Sequence, residues 1–185
     1  MDKSQYKNVY VFVEQRDGVV QNVALELLGK ARELADALHE QVIALLLGKG
    51  VKDKADELIA AGADVVLSIE ADELAQYTTE PYAQAITQVI HERKPSILLI
   101  GATSIGRDLG PRLSARIGTG LTADCTGLDI SEDGDLLMTR PAFGGNNITN
   151  FERRLFAASV VNGNLEPHPG EPERDRAPDA LPRAG

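Results

Sequence analysis

Between residues 8 and 101, short apolar runs alternate with longer stretches in which apolar side chains recur every three or four positions. NVYVFVEQ (8–15), QVIALLLG (41–48), DVVLSI (64–69) and SILLIG (96–101) are aliphatic, and the first two end at turn signals, Arg16-Asp17-Gly18 and Gly48. Each is predicted to be a buried strand. From Val20 to Leu38, the residues Val23, Leu27, Leu28, Leu34 and Leu38 recur at helical spacing among Lys30, Arg32 and Glu33. That is the pattern of an amphipathic helix. A shorter helix is expected over 51–61, with Gly62 in the position of a C-terminal cap. Thr78 and Thr79 offer an N-cap, and Glu80-Pro81 a first turn, for a helix that runs to about Arg93 before Pro95 breaks the chain.

Nearly apolar strands that alternate with helices pair in parallel, with both faces covered. Right-handed crossovers then give an α/β fold: a doubly wound, mainly parallel sheet with helices on both faces, a Rossmann-like three-layer arrangement. After Gly120 the texture changes, and LTADCTGLDI and LLMTRPAFGG flank an acidic Asp133-Gly134 turn. This predicts a β-hairpin extension. Pro167, Pro169, Pro172, Pro178 and Pro182 lie at the end of the chain among Glu, Asp, Arg and Gly. Little there offsets the entropy cost of ordering, so one domain is expected over 1–165 and a disordered, proline-rich tail over 166–185.

Composition narrows the picture. The 185 residues suffice for one domain with a substantial core, and aromatics at 4%, with no tryptophan, make that core aliphatic. A net charge of -9 argues against nucleic acid as the main partner, because phosphate neutralisation needs clustered Lys and Arg. No apolar stretch reaches the roughly 18 to 20 residues of a membrane span, and the first residues lack the pattern of a signal peptide. One cysteine, Cys125, cannot form an internal disulfide and fits a reducing compartment. The expected location is cytoplasmic.

The chemistry concentrates in GATSIGRD (101–108), which follows the fourth predicted strand and opens a helix. Ligands of open α/β sheets bind beyond the carboxyl ends of the strands, and a helix N-terminus favours anions. Pro111 is tolerated in a first turn but not deep in a helix, so the helix is expected to start between Ser104 and Asp108, with either as N-cap. Thr103, Ser104 and Arg107 are then phosphate or partner contacts; the alternative makes Ser104 and Asp108 plain caps and Arg107 a solvated charge. The stretch lacks the lysine of a P-loop and the spacing of G-x-G-x-x-G. Asp124 either caps a turn or meets a partner or cofactor, and Arg140 either pairs with an acidic group or is solvated. His39, His91 and His168 show no ligand spacing, Cys125 reads as a small buried residue, and Ser104 lacks the context of a nucleophile. No catalytic and no metal-binding residues are expected.

VYVFVEQRDGVVQNVALELLGKARELAD, YTTEPYA, GATSIGRDLGPRLSARIGTGLTADCTGLDI and LMTRPAFGGN run in order over residues 8–146, and together they resemble the alpha subunit of electron transfer flavoprotein. GRDLGPRLSAR followed by TGLTADCT carries the resemblance most specifically. It implies the N-terminal α/β domain of that subunit, related in fold to adenine-nucleotide hydrolases. It further implies a beta subunit as partner, a dehydrogenase of the acyl-CoA type as electron donor, and FAD as cofactor of the complete complex. Thr103, Ser104, Arg107, Thr122, Asp124 and Arg140 become candidates for the subunit interface or the edge of a cofactor. The glycine-rich and Ser/Thr-rich flavin motifs are absent, and the residues after Asn146 show no family motif. The expectation is a truncated or frame-shifted electron-carrier subunit that does not hold the alpha-subunit FAD, with genuine divergence of the tail as the alternative. Ordinary and electron-bifurcating types both stay open. Two other readings are a stand-alone adenine-nucleotide-binding module and a non-functional remnant.

Overall fold

The computed structural model describes the backbone of residues 5–142, 145–151 and 157–161. In chain order the elements are β1 (Val9–Val13), β2 (Gln15–Arg16), β3 (Val19–Val20), α1 (Asn22–Leu38), β4 (Val42–Gly48), α2 (Ala55–Ala60), β5 (Val65–Glu70) and α3 (Thr79–Arg93). They continue as β6 (Ile97–Gly101), α4 (Ser104–Ile117), β7 (Leu121–Cys125), β8 (Gly127–Ile130), β9 (Leu136–Ala142), β10 (Gly145–Phe151) and β11 (Ala157–Val161). Six strands form a parallel sheet in the order β5-β4-β1-β6-β11-β7. A three-stranded antiparallel sheet, β10-β9-β8, and the two-residue β2-β3 ribbon stand apart from it.

Alternation along β1 builds the three layers. Val9, Val11 and Val13 share one core with Ala24, Leu27, Leu28 and Leu34 of α1 and Leu58 of α2. Tyr10 and Phe12 share the other with Tyr82, Ile86 and Ile90 of α3 and Leu109 and Leu113 of α4. Successive side chains of a strand point to opposite faces, so a run apolar at every position needs a helical layer on each side. Leu128, Leu136 and Met138 of the small sheet join the α1 core, which anchors the extension to the domain. The doubly wound α/β fold and its antiparallel extension are thus those the hydrophobic pattern predicts.

Three details differ from that expectation. The run 121–130 divides at Thr126, so that β7 enters the central sheet and β8 starts the small one. The asparagine-rich run in β10 extends the small sheet along β9. That leaves the central sheet to β11, which slots between β6 and β7. The sequence pattern does not predict β11, yet it supplies a neighbour to the edge that would otherwise stand open beside β6. The expected tail, 166–185, lies outside the described residues. Among the described residues, no helix is long and apolar enough to cross a membrane.

Candidate functional site

From β1 the chain moves outward to β4 and β5, and from β6 it builds the sheet in the opposite direction. An open α/β sheet leaves its ligand crevice at such a reversal, beyond the carboxyl ends of the two strands. Here that position lies between Glu14, which follows β1, and Gly101-Ala102-Thr103, which leads from β6 into α4.

Two glycines let the helices close on it. A Cβ on Gly106 would lie 1.9 Å from the Gly101 carbonyl oxygen, and a Cβ on Gly101 would lie 2.7 Å from Val23 of α1. Thr103, with extended backbone (φ -93, ψ 175), is the N-cap of α4, and its Oγ1 accepts the Gly106 N–H at 3.1 Å. Its carbonyl accepts the Arg107 N–H at 2.9 Å. The expectation of Ser104 or Asp108 as cap is corrected by one residue or more, because a hydroxyl one position ahead of Ser104 already reaches the third amide of the helix. Ser104 is the exposed first helical residue. Pro111 also lies deeper in α4 than expected, where it forfeits the backbone bond to the Arg107 carbonyl.

Asp108, in the second turn, clamps α4 to the start of α3. Its Oδ2 accepts from Thr79 Oγ1 at 2.5 Å and from the Tyr77 hydroxyl at 2.6 Å. The Thr79 and Tyr77 bonds hold the Asp108 carboxyl below the usual carboxylate range. Burial, and then the bond to Asp108, push the Tyr77 phenol up.

The residue that sequence reasoning missed is Glu14. It is 2% exposed and directly follows β1, at the reversal of strand order. Its Oε2 accepts the Thr103 hydroxyl at 2.5 Å, and its Oε1 accepts from Arg16, Nη2 at 2.9 Å and Nε at 3.3 Å. The neighbouring Gln15 ties the β2-β3 ribbon down: its Nε2 donates to the Leu47 carbonyl at 3.1 Å and its Oε1 accepts the Gly18 N–H at 2.9 Å. The only sequence signal for Glu14 is that it is the one charged side chain in the first apolar run.

The other candidates divide. Arg107 and Asp124 meet directly, Nη2 to Oδ1 at 2.8 Å. A bulge in β7 aims the aspartate: the register with β11 jumps from Ser159–Thr122 to Val161–Cys125, and Asp124 takes φ 56. With side chains 58% and 49% exposed, the pair contributes under about 1 kcal/mol to stability, although the Oδ1 that meets Arg107 is itself covered. Thr122, on the same strand, is buried, while Arg140 is exposed on β9, in the other sheet. Cys125 is buried in the core, its Sγ 3.8 Å from the Thr122 carbonyl oxygen. His39 and His91 are exposed, at the end of α1 and on α3. Among the described residues, no three His, Cys, Asp or Glu side chains gather where they could hold a metal ion.

The crevice residues do not fit a phosphate-bearing cofactor such as FAD. Glu14 sets a buried carboxylate at this end of the sheet, and it already uses the Thr103 hydroxyl and the Arg16 guanidinium. Fold and strand order together define a Rossmann-like domain with a buried carboxylate, Glu14, at the reversal of strand order.

A family model described as electron transfer flavoprotein domain matches residues 9–182, and the chain belongs to the electron transfer flavoprotein family. The match runs well past Asn146, further than the motifs alone carry the resemblance. An electron transfer flavoprotein subunit alpha of Clostridium acetobutylicum is 51% identical over 173 residues, covering 91% of this chain and 52% of that protein. A protein of Acetobacterium woodii named lactate dehydrogenase (NAD(+),ferredoxin) subunit LctC is 48% identical over 167 residues, 90% of this chain and 38% of its own. An acryloyl-CoA reductase electron transfer subunit beta of Anaerotignum propionicum is 44% identical over 168 residues, 78% and 46% respectively. The chain spans about half the length of the curated relatives it matches.

Proposed function

We propose that this chain is the N-terminal scaffold of an electron transfer flavoprotein alpha subunit, which packs against a beta subunit and has no active site of its own. The support is the pairing of a buried, bonded carboxylate at the reversal of strand order with an exposed, charged pair on α4 and β7. Glu14 is buried at the end of β1 and bonded to Thr103 and Arg16, whereas Arg107 and Asp124 stand half exposed on α4 and β7. In this reading the complete complex holds FAD outside the crevice and takes electrons from a dehydrogenase. An acyl-CoA-type donor is the proposed one. The name of the Acetobacterium relative makes a lactate-type donor the second to assay.

The test is co-expression with the beta subunit of the same organism, followed by isolation of the complex and its visible spectrum. A stable 1:1 complex, weakened at least tenfold in affinity by Arg107→Glu, is the expected result. That substitution sets two carboxylates side by side, at positions 107 and 124, and reverses the sign that α4 presents to the partner. Absence of a complex, or an Arg107→Glu complex of unchanged affinity, rejects the interface role of this surface.

A further inference from the structure

We propose that Glu14 is a built-in anion: it occupies a site formed by Arg16 and Thr103 at the mouth of the β1/β6 crevice, and so keeps phosphate-bearing ligands out of it. The crevice has the position of a ligand site, at the reversal of strand order and over the N-terminus of a 14-residue helix. What it contains is a carboxylate with 3% of its side-chain surface exposed, received as a free anion would be. Arg16 offers Nη2 and Nε to one oxygen, and Thr103 gives its hydroxyl to the other. Such a two-donor fork on one side and a hydroxyl on the other is a geometry suited to any small oxyanion, carboxylate or phosphate.

Charge and occupancy exclude a ligand together. A phosphate that entered would meet the Glu14 carboxylate at contact distance in a poorly solvated place, where like charges repel strongly. It would also find the donors already committed: Thr103 Oγ1 gives its proton to Glu14 and accepts the Gly106 N–H. On the far wall, Val23 lies against Gly101 with no space for so much as a methyl group between them. Shortening the side chain at position 14 reverses both effects, since it vacates the place and leaves Arg16 and Thr103 without their anion.

This inference holds whether or not the chain assembles with a beta subunit, and it separates the scaffold reading from that of a stand-alone nucleotide-binding module. The experiment uses the full chain, its Glu14→Ala variant and its Glu14→Gln variant, with inorganic phosphate and AMP as probes against chloride of equal ionic strength. Melting temperature and the amide NMR signals of Thr103–Arg107 are followed. The natural chain is expected to show no saturable response to millimolar phosphate or AMP. Glu14→Ala is expected to gain one, with phosphate raising its melting temperature by about 3 °C or more and shifting those amides. Glu14→Gln keeps the shape without the charge, and it should respond in the same direction, more weakly, because its amide still fills the place. Should Glu14→Ala fail to fold in chloride, Glu14→Gln decides. Saturable binding by the natural chain at these amides, or silence of the folded variants, overturns the proposal.

Discussion

Gly106 and Gly29 are both helical glycines, yet their surroundings predict opposite effects of the same change. A methyl group at Gly106 would lie 1.9 Å from the Gly101 carbonyl, which is main chain and cannot swing aside. Gly106→Ala must push α4 off the end of β6, and a loss of more than about 2 kcal/mol is expected. Gly29 sits mid-helix in α1, is exposed, and has nothing within 4 Å of the place a Cβ would take. Gly29→Ala removes only backbone freedom and should stabilise by about 0.5–1 kcal/mol. Urea midpoints of the two variants check both signs at once; a neutral Gly106→Ala would mean that α4 does not approach β6 so closely. Position 106 also explains why GATSIGRD is ambiguous as sequence. Its glycines serve close packing of helix on strand, and the same residues would serve a phosphate equally well.

At the scale of elements, the pattern of apolar positions carries most of the fold. β1, β4, β5 and β6 are local features, each a short apolar run with a helix between it and the next, and their boundaries differ from the expected ones by only a residue or two. β11 is illegible for a physical reason. AASVV is small and weakly patterned, and its place between β6 and β7 depends on partners that precede it by more than thirty residues. Glu14 is hidden in the same way, because a glutamate closing a strand means nothing until strand order puts it at the reversal. The bulge in β7 is an intermediate case: the polar Asp124 in an apolar run is visible, its left-handed backbone is not. That backbone predicts a ranking. Asp124→Ala loses the Arg107 ion pair and keeps the φ of 56, whereas Asp124→Gly loses the pair but relieves the conformation. The glycine variant should therefore be the more stable of the two by about 1 kcal/mol, as read from thermal melts. Equal stabilities would show that β7 can give up its bulge without cost.

The whole molecule depends on its last described strand. β11 is the neighbour of β6 on one side and of β7 on the other, and among the described strands it alone joins β7 to the central sheet. A chain shortened to residue 165 keeps it, and we expect that chain to melt cooperatively within about 2 °C of the full one, since a segment rich in proline and charge has little to bury. A chain shortened to residue 151 keeps the small sheet but opens the edge of β6, whose five residues are all buried in the intact domain. Exposed apolar edges of this kind recruit other chains. Net stabilities of about 5–15 kcal/mol leave no reserve for removing an internal strand, so the 151-residue chain should lose its cooperative transition and aggregate in sedimentation velocity. If it instead remains monomeric and melts as the longer chain does, the central sheet is complete without β11 and the domain boundary belongs before residue 157. If the 165-residue chain is the one that fails, the final residues take part in the fold, and the boundary moves toward the end of the family match at residue 182.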